Sequence, residues 1–242
     1  MTSSRTLKFT LLLLSVALPF YGWAQNDSTQ QQPAKVRGVQ YAAPSVAASD
    51  VGQLPFLAGF SVSGNLAGAL LSVVSSYGEL EGALRANIKG TYFPLVEAGI
   101  GLSDHTDEAT SLHYKTSSPF FRVGLDYNIL ADKSSPNRVF GGARLAYSPV
   151  TYDISGPELV DPYWHTSTPY EFKSLKGNMA WLELVFGVET KIWSIFHLGW
   201  SVRYKNRISG KGDSVGQPWY VPGFGKNGTT AIGGTFNLIF DI

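Results

Sequence analysis

The chain contains no cysteine. Disulfides, thiol redox chemistry and cysteine-ligated metals are therefore excluded, and the fold is held without covalent cross-links. Charge is also scarce. Asp, Glu, Lys and Arg make up 15% of the 242 residues, against a usual share of about 25%. The formal net charge is +1 and no basic run interrupts the sequence, so nothing offers the electrostatic footprint of a nucleic-acid partner. Long apolar runs are missing too. The stretch from Phe9 to Phe20 covers 12 residues, well short of the roughly 20 that a bilayer-crossing helix needs.

That short run reads instead as the core of an export signal. Arg5 and Lys8 precede it, and the small residues Gly22 and Ala24 follow, which places cleavage after Ala24 and makes residues 1–24 a signal peptide. No cysteine follows that point, so an N-terminal lipid anchor is not expected. Residues 25–54 are polar, small and unpatterned, and read as a flexible periplasmic segment.

What is abundant is glycine, 26 residues, and aromatic side chains, 13%. From Phe56 onward the apolar residues alternate with polar ones. Leu80, Leu84, Ala86 and Ile88 oppose Glu79, Glu81, Arg85 and Asn87, and after the glycine-bearing turn Lys89–Tyr92 the pattern resumes with Val96, Ala98 and Ile100 against Glu97. The same period recurs over Phe120–Leu130, Val139–Ser148, Trp181–Lys191, Phe196–Lys205 and Ala231–Ile242, and Phe56–Leu66 opens the series. Period two means two-sided strands, and the count is eight. Connections alternate in length. Those at 89–92, 131–137 and 192–195 are short or moderate, and those at 67–77, 103–119, 149–179 and 206–230 are long.

An export signal, alternating strands and alternating loop lengths together predict an all-β fold over residues 55–242: an eight-stranded antiparallel transmembrane β-barrel with short periplasmic turns and long extracellular loops. Its apolar face meets lipid. Tyr92, Phe93, Tyr127, Phe140 and Trp193 are read as one interfacial belt, and Phe120, Phe121, Tyr147, Trp181 and Tyr204 as the other. The last strand, with Phe236, Leu238, Phe240 and Ile242 on its apolar face, resembles the C-terminal strand by which barrel proteins are recognised for insertion.

Eight strands enclose an interior that side chains fill. The predicted inward charges include Arg85, Glu97, Arg122, Asp126, Arg144, Glu183, Glu189 and Arg203, with Glu79, Glu81, Lys89, Lys191, Lys205 and Asp241 on the same face. The signs balance, as buried charges must, and the expectation is a structural charge network rather than a pore.

Sites of chemistry are few. Gly223, Gly225 and Gly228 carry the spacing G-x-G-x-x-G around Lys226, but the next element is the strand Thr229–Phe240 and not a helix, so no helix N-terminus is there for a pyrophosphate and no nucleotide is expected. His105 lies among Asp104, Asp107 and Glu108, a composition that also describes any hydrophilic loop. No catalytic, cofactor-binding or metal-binding residue is assigned. The loop aromatics Tyr163, Trp164, Trp219, Tyr220 and Phe224 are candidates for partner contact or for packing over the barrel mouth, because interfaces favour Tyr and Trp.

The stretches Glu81–Gly101, Phe120–Leu130, Asp161–Trp164, Leu198–Lys205 and, most specifically, "PWYVPGFG" at Pro218–Gly225 resemble an uncharacterised family of small outer-membrane β-barrels from Bacteroidota. That family carries a domain-of-unknown-function label. The resemblance implies a fold and a location, and transfers no catalytic or binding residue. By analogy it implies work beside a lipoprotein or within an envelope-assembly complex. The leading functional expectation is accordingly a non-enzymatic barrel that docks or scaffolds a partner protein through its aromatic loops. A rim-sited lipid-modifying or proteolytic enzyme and a small-solute channel are the alternatives.

Overall fold

A computed structural model describes residues 55–242; the signal-peptide and N-terminal-segment readings (1–24 and 25–54) lie outside the described residues. Eight long strands form one closed antiparallel sheet. They are β1 (Leu57–Asn65), β2 (Tyr77–Ile88), β3 (Tyr92–Thr106), β4 (His113–Asn128), β5 (Arg138–Val160), β6 (Ser167–Trp193), β7 (Phe196–Lys211) and β10 (Thr230–Asp241). Each pairs with its sequence neighbour, and β1 closes on β10 through Ser61–Asn65. Between β7 and β10 lies a small hairpin of β8 (Tyr220–Val221) and β9 (Gly225–Lys226). Among the described residues no helix is long and apolar enough to cross a membrane.

The turn between β2 and β3 shows how local chemistry sets the register. Lys89 and Gly90 both have positive φ, and the Thr91 amide donates to the Ile88 carbonyl at 3.0 Å. Two successive left-handed residues are the signature of a type I′ turn, whose twist matches the strands it joins.

Alternation then sorts side chains to two faces, and their polarity is the inverse of a water-soluble sandwich. Outward positions carry Val96, Phe121, Val123, Leu184, Phe186 and Trp200, all about half exposed, while inward ones carry Glu97, Arg122, Glu183 and Arg203, all nearly fully buried. Large inward side chains sit opposite glycines. A Cβ on Gly99 would strike the Phe120 ring, and one on Gly142 would strike the Asp126 carboxylate. The glycines are therefore the space into which the interior packs.

Several expectations are corrected. Phe93, Phe120, Phe140 and Trp181 point into the barrel and are nearly fully buried, so they belong to no outer belt. Adjacent residues such as Tyr92–Phe93 and Phe120–Phe121 face opposite ways in a strand, and only Tyr92 and Phe121 lie outside. Lys89 and Lys191 are exposed at the short-turn end, beyond the enclosed lumen. The segments 103–119 and 149–179 are not long loops. Strands run through most of both, leaving connections at 107–112 and 161–166. There the outward residues turn polar (Asp104, Lys115), so the contrast that marks a strand in sequence fades while the backbone ladder continues.

Segment 67–77, also read as a loop, begins with helix α1 (Leu66–Val74). Asn65 caps it, its side-chain oxygen accepting from the Gly68 amide at 3.2 Å, and Ala and Leu fill its turns. The helix lies against the edge of β2, where a Cβ on Gly68 would meet the Glu79 carbonyl and one on Gly78 would meet Ser72.

Candidate functional site: a plugged lumen and a projecting hairpin

Arg122 is the centre of the lumen. From β4 its Nε donates to Glu183 on β6 at 2.9 Å. Its Nη1 reaches Glu81 on β2 at 2.8 Å and Glu97 on β3 at 3.2 Å. Arg203 on β7 closes the circuit to Glu97 at 2.9 Å and to Glu81 at 3.0 Å. Arg144 bridges Glu97 at 3.2 Å and Asp126 at 3.1 Å. Nearer the short-turn end Glu189 is gripped by Arg85 and, at 2.9 Å, by Arg138. The eight charges named from the sequence thus fall into one upper web and one lower cluster. Ion pairs in such surroundings are held by geometry, since each carboxylate taken from water needs donors on its remaining lone pairs.

Arg138 lies one residue ahead of the strand expected from Val139. The period-two count from Arg144 back through Gly142 and Phe140 reaches Arg138 on the same inner face, so the signal was present. Asp241 bridges His197 at 2.9 Å but stays 44% exposed, and marks the open lower rim.

The upper web is capped by chain rather than by solvent. The run Val221–Phe224 is a type II turn, with Pro222 and Gly223 at its centre, φ +81° at Gly223, and the Phe224 amide donating to Val221 at 3.0 Å. It enters the barrel mouth. The Gly223 carbonyl accepts from Arg122 at 2.9 Å and from Lys205 at 2.6 Å. Glu79 accepts from the Tyr220 hydroxyl at 2.9 Å and the Gly223 amide at 3.1 Å. Tyr114 donates to the Tyr220 carbonyl at 2.8 Å. Phe224 is buried edge-on against Trp181, with ring centres 5.6 Å apart, and Trp181 in turn donates to Glu183 at 2.7 Å. Burial is the main reason the Tyr220 hydroxyl is held well above its usual pKa, reinforced by the Glu79 charge. The G-x-G-x-x-G run is thus the tip and exit of a plug, and Lys226 lies over the Trp219 ring at 5.6 Å.

Of the five loop aromatics, Tyr220 and Phe224 are buried in this plug and Trp219 packs at its edge, stacked on His105 with ring centres 4.6 Å apart. Tyr163 and Trp164 go the other way. The hairpin of β5 and β6 outruns its neighbours: pairing with β4 stops at Ser155, while β5 continues to Val160, roughly 17 Å further at about 3.3 Å per residue. At its tip Asp161 accepts from the Tyr163 amide at 2.7 Å and the Trp164 amide at 2.9 Å. Those two donors hold the Asp161 carboxyl below the usual carboxylate range, that from Trp164 contributing most. Tyr163 and Trp164 stand edge to face, 79% and 73% exposed.

His113 touches Thr106 at 3.0 Å and Asp104 at 3.5 Å on the exposed outer face of the β3–β4 hairpin. His165 sits in the tip turn with φ 52°. Among the described residues no group of three or more His, Asp and Glu side chains is placed to hold a metal ion.

No curated protein and no solved structure matches the chain. The model of one family, described as a domain of unknown function (DUF6048), matches residues 6–242, nearly the whole sequence. The chain, with its plugged eight-stranded barrel, belongs to that DUF6048 family.

Proposed function

We propose that the protein is an outer-membrane barrel with short turns and both termini on the periplasmic side, and that it docks a partner protein through the tip of its β5–β6 hairpin. The membrane setting is supported by the inverted polarity of the wall. A belt of half-exposed Val, Leu, Phe and Trp surrounds a charged interior, an arrangement stable in lipid and costly in water. The docking role is carried by one observation: two large aromatics held exposed on a carboxylate-pinned turn beyond the end of the neighbouring strands. Rigid, pre-ordered Tyr and Trp lose little entropy on binding and make typical anchors. The partner that fits is a lipoprotein or envelope-assembly subunit with an apolar groove for two rings. The filled lumen speaks against a solute channel.

The test is crosslinking and affinity capture from detergent-solubilised membranes with the full chain and with Tyr163→Ala/Trp164→Ala. Loss of two anchors of about 2 kcal/mol each lowers affinity by roughly a thousandfold, so a partner captured by the wild type should vanish while the barrel stays folded. Capture of the barrel alone by the wild type, or equal capture by both, refutes the docking role.

A further inference from the structure

The barrel wall is incomplete. Strand β1 stops at Asn65, paired to Asn237, and its pairing with β2 stops at Gly64–Gly82. Above that level Thr230–Phe236 of β10 and Tyr77–Glu81 of β2 have a strand on one side only. Helix α1 stands in the gap. It is pressed on β2 through Gly68 and Gly78, and between it and β10 lies a cavity of about 500 Å³ lined both by outward-facing Ile232 and by the lumen residues Arg122 and Arg203.

The two ends of this opening differ. Its outer end is apolar, formed by Ala67 and Leu71 of α1 and by Ile232 and Gly234 of β10. Leu70, Val73 and Val74 continue that apolar surface outward. Its inner end is charged: three buried cations, Arg122, Arg203 and Lys205, line it with two carboxylates, Glu79 and Glu81, while the exposed Lys226 stands at the rim over Trp219. Both Glu81 oxygens are engaged by Arg122 and Arg203, and one Glu79 oxygen, Oε1, accepts both of the plug's bonds. Lys205 differs from the arginines. Its ammonium meets only the neutral carbonyls of Gly223 and Phe224, at 2.6 and 3.2 Å, and among the described residues no carboxylate pairs with it within 4.0 Å. A Cβ on Gly233 would lie 3.5 Å from that ammonium, so the glycine leaves it open to the cavity.

We propose that this opening is a lateral binding site for an anionic phospholipid, its headgroup phosphate on Lys205 and its acyl chains along α1 and Ile232. A buried ammonium with one donor to spare calls for an anion. An unpaired strand edge inside a bilayer must be covered, and a chain entering from the membrane does both. The inference rests on the membrane reading above.

The full chain is folded into nanodiscs of phosphatidylcholine doped with phosphatidylglycerol and released for native mass spectrometry. The wild type should retain phosphatidylglycerol in preference to phosphatidylcholine. Lys205→Gln should cut that preference about tenfold or more, the worth of a charged hydrogen bond. Gly233→Phe, and Gly234→Leu from the outer side, should each abolish retention of either lipid. Glycerol 3-phosphate, which lacks acyl chains, should not compete. Equal retention of the two lipids, retention unchanged by Lys205→Gln or by both glycine variants, or displacement by glycerol 3-phosphate overturns the site. Flotation of the wild type with vesicles separates the two readings. A chain that floats but retains no phosphatidylglycerol refutes the lateral site alone, and one that does not float refutes the membrane setting itself.

Discussion

Replacing Arg122 by methionine tests whether the lumen network holds the barrel together. The methionine keeps most of the apolar stem volume and removes the guanidinium. Glu183 then loses its 2.9 Å donor, Glu81 its 2.8 Å donor, Glu97 its 3.2 Å donor, and the plug loses one anchor at Gly223. Arg203 and Arg144 remain to hold three carboxylates. Removing one partner of a buried ion pair costs about 3–5 kcal/mol, because the charge left behind stays desolvated. About 4 kcal/mol is therefore expected. With a urea dependence of about 2 kcal/mol per molar, the unfolding midpoint should fall by about 2 M. The assay is equilibrium unfolding in phosphatidylcholine vesicles followed by tryptophan fluorescence, to which Trp181 contributes through its bond to Glu183. Arg122→Lys keeps the charge but loses the fork, and should fall between the two. The double variant Arg122→Met/Glu183→Leu should be less destabilised than the sum of the single changes, since both act on one pair. A midpoint for Arg122→Met within about 0.5 M of the wild type, well below the shift worked out above, would refute the argument and show that the web contributes little net stability.

Two further outcomes follow from the same geometry. Gly223→Val forces a β-branched residue into φ +81° with its Cβ 2.7 Å from Phe120. The plug should leave its seat at a cost of about 2 kcal/mol or more, seen as faster hydrogen exchange over residues 218–228; unchanged protection there would contradict the plug's dependence on this turn. At the hairpin tip, Asp161 has a depressed folded pKa, so its contribution is fully present above the unfolded value of about 4 and is lost as pH falls through the lower folded value. Amide protection at Trp164 should persist from neutral pH to below the ordinary carboxylate value of about 4 and be lost only as pH falls through the lower folded value, and Asp161→Ala should lack it throughout; loss already at neutral pH in the wild type would count against the pinned turn.

Legibility in the sequence followed the side-chain period. Arg122, Glu183 and Arg203 could be assigned to one face because every second residue of a strand faces the same way, and Arg138 was reachable by the same count. Phe93 and Phe120, expected in the outward belt, face inward by that same count and are buried. Strands β5 and β6 extend well past their expected ends, because hydrophobic contrast and not backbone pairing is what a sequence displays. Helix α1 is nine residues long, too few to establish a periodicity of its own.

By itself the sequence determined the number of barrel strands, their antiparallel order and, wherever the period of two is counted through, which residues share a face, since all three depend on local spacing. The tertiary structure decided what those faces meet. Glu183 reaches Arg122 across 61 positions, and Tyr220 reaches Glu79 across 141. Such partners depend on how far the strands stagger as the sheet closes, a quantity absent from any one strand. The same closure decided that "PGFG" turns inward onto Arg122 and Lys205, and that β1 ends early enough to leave α1 and an opening in the wall.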